Sequence, residues 1–296
     1  MNSTTAANAS TRTTGSDAIG PSTPARSTED VPSPDLALER LSDPRGRLLT
    51  IGWAVSVAMW AVAYVTMMGP GLAIGEVLVA VMLLFVVAGG AIAARYGAMR
   101  AALGVGAISA TINMLLIGSL FGGDDRIDAA QALFWIGSLW SSTLICAAIG
   151  GAIGRRFPIV DDRARWPSRF AWVTVGTVFL LLITGGLVTS LREGLAVPDW
   201  PNSFGHNMLL YPLSEMKGGI YYEHAHRLYG MLVGLTSIAL VGLVWRTDRR
   251  LWVRLGAIAV LVMVCIQGVL GGIGVTGHPT LSADPEVMRP STTLRL

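Results

Sequence analysis

Runs of roughly 20 mostly apolar residues, each long enough to cross a bilayer core about 30 Å thick, recur along this chain and leave few other folds open to it. There are seven: Leu48 to Met68, Ala73 to Ala94, Ala101 to Phe121, Ala132 to Ile153, Phe170 to Ser190, Leu228 to Trp245 and Trp252 to Val275. Hydrocarbon offers no partner to a bare N–H or C=O, so a spanning segment must pair its own backbone. Unbroken runs do this as helices, whereas a transmembrane barrel reads as alternating segments of about ten residues. The expected fold is therefore all-α, a polytopic membrane protein of about seven transmembrane helices. Composition agrees, with 52% hydrophobic and 14% charged residues in 296 and a mean hydropathy of +0.56. A soluble domain carries more charge than this.

The basic residues give an orientation, because short cytoplasmic loops hold an excess of Lys and Arg. Arg45 and Arg47 precede the first run, and Arg95 and Arg100 follow the second. Arg155, Arg156, Arg163, Arg165 and Arg169 follow the fourth, and Arg246, Arg249, Arg250 and Arg254 follow the sixth. All four clusters fall on one side. The alternate loops have no basic residue (Gly69 to Gly71) or balance it with acids (Asp124, Asp125, Arg126, Asp128). The N-terminus is expected in the cytoplasm and the loop from Leu191 to Glu223 outside, in a multi-pass protein of the inner (plasma) membrane. The net charge of +3 and pI near 9.1 come from these anchors; they imply a membrane lipid partner and no nucleic acid.

Residues 1–44, rich in Ser, Thr, Pro and Asp and without an apolar stretch, are expected to form a disordered cytoplasmic tail. Residues 45–157 form a four-helix membrane bundle whose Ala, Gly, Val and Leu suggest packing and anchoring, since intramembrane chemistry usually needs ionisable groups. A three-helix region follows at 166–277, then a polar tail at 278–296. Cys146 and Cys265 lie within predicted helices and imply neither a disulfide nor a zinc site.

All four histidines, His206, His224, His226 and His278, fall in the last third of the chain. The long outer loop carries Asp199, Trp200, Tyr211, Tyr221 and Tyr222 toward the sequence Glu223-His224-Ala225-His226-Arg227. An interfacial aromatic belt explains the aromatics but not Glu223 and His226. If the helix begins ahead of its apolar run, these two share a face. Below His226 come Gly230 and Gly234, leaving a side-chain-free strip on which a porphyrin could lie with His226 as axial iron ligand and Arg227 on a propionate. The same glycines form a GxxxG, which would equally let two helices touch. His224, on another face, is expected to meet solvent, and His206 to be an ordinary loop residue. Gly185-Gly186 and Gly271-Gly272 close two helices at similar depth and suit close approach of a helix or a flat ligand.

Taken together, Gly185-Gly186, the stretch from Gly194-Leu195 to Asp199-Trp200-Pro201, Glu223-x-x-His226-Arg227 and Gly271-Gly272 resemble the haem A synthases, membrane proteins of cytochrome oxidase assembly. The resemblance covers about residues 166–290. It implies a fold of eight helices in two four-helix halves, each holding a haem between paired histidines: the substrate haem O in the first and a haem b cofactor in the second. It implies oxidation of a porphyrin methyl to the formyl group of haem A. By position in the motif, His226 is then the iron ligand and Glu223 the acidic residue near the reacting group. Arg227, Gly230, Gly234, Trp200 and Asp199 would line the haem, although Asp199 could equally cap a turn beside Pro198. Haem O synthase and other oxidase assembly factors are the partners implied.

The chain departs from that pattern in three respects. The outer loop has no cysteine pair, as in some members of the family. Only three of the eight helices have a counterpart, and the helix with the second axial histidine is not found before Leu296. A chain truncated relative to an active enzyme is expected, with His278, between Gly277 and Pro279, as a conceivable substitute ligand. Two other readings stay open: a haem-binding assembly protein that does not convert its porphyrin, and a membrane scaffold without cofactor.

Overall fold

The computed structural model describes residues 43–68, 75–121, 129–159, 165–205, 207–211 and 215–276. The expected N-terminal tail up to residue 42, His206, and His278 with the rest of the polar C-terminal stretch lie outside the described residues. Those described form six α-helices: α1 (Pro44–Met68), α2 (Gly75–Phe121), α3 (Ala129–Gly154), α4 (Trp166–Ser190), α5 (Gly219–Thr247) and α6 (Leu251–Thr276), with a short 3-10 helix at Met208–Leu210. Each of the six is long and apolar enough to cross a membrane. The protein is a polytopic helical membrane protein.

The difference between seven expected spans and six helices lies in α2, whose 47 residues are interrupted at Gly97 (φ −149°, ψ 24°) and Ala98 (φ 53°, ψ −155°). In a straight helix Gly90 and Gly106 would stand about 24 Å apart. Instead, a Cβ built on either would meet Ala147 of α3. The chain therefore folds back on itself at the interruption, and residues 75–96 and 99–121 are two rods, matching two of the expected spans.

Apart from α2, which begins two residues inside its expected run, the helices start earlier than the apolar runs because local chemistry extends them. Asp43 opens α1, its Oδ1 accepting the Arg45 N–H at 3.1 Å and its carbonyl the Arg47 N–H at 2.9 Å, with Pro44 in the first turn, where a missing N–H costs nothing. A proline likewise opens α4. Helix α5 starts at Gly219, ahead of the apolar run at Leu228, so Glu223, His224, His226 and Arg227 are all helical.

Glycine sets the packing of the front helices. Cβ atoms at Gly150 and Gly154 would fall on the backbone of Val87 and Ala91, one at Gly52 would meet the Ile108 side chain at 2.6 Å, and one at Gly151 would meet Ala102 at 2.8 Å. Helix backbones thus touch directly, the usual route to affinity where lipid is as apolar as the side chains. A polar thread joins α1 to α2: Trp60 Nε1 donates to Asn113 Oδ1 at 2.9 Å, and Ser56 and Ser109 hydroxyls meet at 3.2 Å, all buried.

Helix α1 also carries the contact to the back of the molecule. Trp53 Nε1 donates to Thr236 Oγ1 of α5 at 2.7 Å, and the Trp53 ring meets Phe170 of α4 edge-on at 5.7 Å. Tyr64 stacks on Tyr221 at 5.4 Å, and the Tyr221 hydroxyl donates to the Tyr64 carbonyl at 2.7 Å. Arginines collect at one end: Arg47 lies over Tyr96, Tyr96 meets Trp166, and Arg169 lies over Trp166. Gly46 sits against Leu243, which brings the end of α5 to that same end.

Candidate functional site: the outer end of α5

Three side chains at the start of α5 hold the loop between α4 and α5. Glu223 and Arg227, one turn apart, form an ion pair with Oε1 and a guanidinium nitrogen 2.5 Å apart, and their side chains are only 4% and 8% exposed. The second carboxylate oxygen, Oε2, accepts the Val197 N–H at 2.7 Å. Arg227 donates further to the carbonyls of Val197 (2.9 Å), Asp199 (2.6 Å) and Asn202 (2.9 Å). A buried charge pair is stable only when its remaining donors and acceptors are met. Here they are met by loop backbone, so the pair fixes residues 197–202 on the helix.

Asp199 is buried, and its carboxylate accepts the N–H groups of Phe204 and Gly205, both at 2.7 Å. Those residues take positive φ (51° and 77°), and the converging N–H groups of such a turn favour an anion. Asp199 thus caps a turn, at Phe204-Gly205 rather than beside Pro198.

His224 departs from expectation. Rather than facing solvent it is fully buried, with Nδ1 3.1 Å from the Ser203 hydroxyl and its ring 4.9 Å from that of Tyr211. The reason is the loop itself, which folds over this side of α5: Tyr211 stacks on Phe204 at 5.6 Å. Burial, followed by the Glu215 carboxylate, pushes the Tyr211 phenol above its ordinary range.

His226 points the other way, toward α4. A Cβ at Gly185 would lie 2.8 Å from its Cε1, so the imidazole rests on the glycine backbone, and Thr184 Oγ1 stands 3.1 Å from Nδ1. With Nδ1 engaged, Nε2 is the nitrogen left to bind a metal, the arrangement by which a neighbour fixes a ligand's tautomer. Trp200 sits over α6, where a Cβ on Gly272 would overlap its indole. The two glycine pairs, expected to receive a helix or a flat ligand, each receive an aromatic ring of the protein.

Gly230 and Gly234 do neither. Nothing lies within 4 Å of a Cβ placed on either, and the same holds for Gly268, Gly271 and Gly274 of α6. Among the described residues this GxxxG makes no helix contact; it is an open strip below His226. Sequence reasoning missed Thr184 and Ser203, and took Tyr211 for part of an interfacial aromatic belt. Thr184, a lone hydroxyl just ahead of the Gly185-Gly186 pair, was the one with a readable signal.

Residues 168–293 match the family model described as cytochrome oxidase assembly protein. The chain is 30% identical to Heme A synthase COX15 of Homo sapiens over a 135-residue alignment that takes in 35% of this chain and 32% of the human protein. It is 29% identical to the Bos taurus protein of that name, over 35% of this chain and 31% of the relative. The chain thus spans about a third of the length of the curated relatives it matches. No solved structure matches. The back of this chain, from residue 168 to 293, is a partial match to the haem A synthase family.

Proposed function

We propose that this chain binds a haem within the membrane on the strip of α5 marked by His226, Gly230 and Gly234, and serves cytochrome oxidase assembly as a haem A synthase-like protein. One observation carries the reading: a histidine whose Nδ1 is already engaged stands at the head of a glycine strip with open space in front of it. An axial imidazole and a flat apolar face are what a protein must supply to an iron porphyrin. The porphyrin brings its own four nitrogens, so a single histidine suffices on this side. Among the described residues no group of three or more His, Cys, Asp or Glu is placed to hold a metal ion, and this chemistry does not require one.

In the haem A synthase reaction a methyl group of haem O becomes the formyl of haem A, and bound haem iron supplies the oxidative chemistry. The residues here bind and orient. His226 would hold the iron. Gly230 and Gly234 would admit the ring and Trp200 would close the α6 side, while Glu223 with Arg227 holds the outer loop. By its place in the motif Glu223 would be the acidic residue near the reacting methyl, its field set by the Arg227 pairing. The Arg-rich end lies in the cytoplasm and the site at the outer surface of the plasma membrane.

Product analysis after expression with haem O tests the enzymatic reading. Glu223→Gln is expected to retain haem while losing haem A formation. Unchanged haem A formation in that variant removes Glu223 from the chemistry, and haem binding without any conversion by the unaltered chain leaves a carrier role.

A further inference from the structure

At the arginine-rich end, far along the chain from His226, α2 and α3 frame a cleft of about 390 Å³ lined by Ala91, Ile92, Arg95, Ile153, Gly154 and Phe157. The two helices touch at its floor, where a Cβ on Gly154 would fall on the Ala91 backbone. Its apolar walls are open: Ile92 and Ile153 are each 48% exposed and Phe157 64%. The rim is cationic and held in place. Arg95 Nε donates to the Phe157 carbonyl at 3.2 Å, and the Ile159 N–H donates to the Arg95 carbonyl at 2.6 Å. Arg155 and Arg156, both exposed, follow Gly154 in the chain, and among the described residues no carboxylate pairs with any of these three arginines. Gly154 is also the last residue of an apolar span, which puts the cleft at the boundary between hydrocarbon and headgroups.

The geometry points to a binding site for one anionic glycerophospholipid, with an acyl chain along Ile92 and Ile153 and the phosphate on Arg95. Pinning Nε leaves the two terminal guanidinium nitrogens as a fork, the arrangement that meets phosphate with two hydrogen bonds. The apolar walls select a lipid over free phosphate, and the Arg95 fork, which meets no carboxylate among the described residues, selects an anionic headgroup over a zwitterionic one. Basic pockets between membrane helices are suited to such headgroups.

Native mass spectrometry of the full chain, titrated with phosphatidylglycerol or with phosphatidylcholine of the same acyl chains, tests this. One phosphatidylglycerol is expected to be held about fivefold more tightly than phosphatidylcholine. Arg95→Gln should remove that preference, whereas Arg100→Gln, an equal loss of charge outside the cleft, should keep it. Ile92→Gln, at an exposed wall position, should weaken both lipids and keeps the test decisive if Arg95→Gln does not fold. Equal retention of the two lipids, equal losses in Arg95→Gln and Arg100→Gln, or unchanged binding in Ile92→Gln would each overturn the assignment, the second leaving only a diffuse charge effect.

Discussion

The front and back of this protein use glycine in opposite ways. In α2 and α3, Gly90, Gly150 and Gly154 are filled by a neighbouring backbone, so that no side chain would fit. In α5 and α6, Gly230, Gly234, Gly268, Gly271 and Gly274 face space that a side chain could occupy. The residue and its spacing look alike in sequence, yet one set joins helices and the other leaves a surface free. What separates them is whether a partner helix is present at that face. A GxxxG read alone therefore cannot assign a contact.

This contrast is breakable by substitution. The largest effect is expected at Gly154→Leu, where backbone rather than a side chain must move; it should destabilise by about 4 kcal/mol or more, at the upper end of overpacking effects, read as loss of a folded peak in detergent. Glu223→Ala comes next, at about 3 kcal/mol, because Arg227 would be left buried with its charge unpaired; a chemical denaturation series checks it. His224→Ala should cost about 2 kcal/mol, for the lost packing and an unpaired Ser203 hydroxyl, and should free the outer loop to proteolysis at Arg192 or Lys217. Gly230→Leu should leave stability within about 0.5 kcal/mol, as surface changes usually do, while abolishing haem uptake. A Gly230→Leu variant as unstable as Gly154→Leu would erase the distinction between the two regions.

The smallest effect concerns the turn between α5 and α6. The Arg250 guanidinium and backbone N–H, both bonded to the Asp248 carboxylate, hold its pKa down to about 2, with Arg254 adding to the field. A depressed carboxyl contributes stability above its unfolded value, near 4, and that contribution disappears as pH falls through about 2. Because the pair is solvent-exposed, screening keeps it small. Asp248→Asn should shift the melting temperature only slightly at pH 7, and not at all well below pH 2.

How much was legible in the sequence follows from range. The spans were readable because hydrocarbon acts on every residue of a helix at once, and the two halves of α2 were correctly separated although their break is only two residues long. Helix starts were misplaced toward the apolar runs, since caps such as Asp43-Pro44 lie outside the hydrophobic signal. Glu223 and His226 could be placed on one helix by spacing. The burial of His224 could not, because it depends on where Ser203 and Tyr211 return to α5 after a long loop, and nothing periodic encodes that return. Trp200 on Gly272 is a contact of the same kind, made across 72 residues. Arg227 was expected on a propionate, and its donors to Val197, Asp199 and Asn202 show how a local motif leaves its partners unstated.

On the proposed function His226 and its glycine strip form a haem face, while His224, two residues away, locks the outer loop through Ser203 and Tyr211. Absorption spectra of the full chain purified with ample haem, beside His226→Ala and His224→Ala, test it most directly. A Soret band is expected in the unaltered chain, lost in His226→Ala and retained by whatever fraction of His224→Ala remains folded. An equal Soret band in the unaltered chain and in His226→Ala, or none in any of the three, would contradict it.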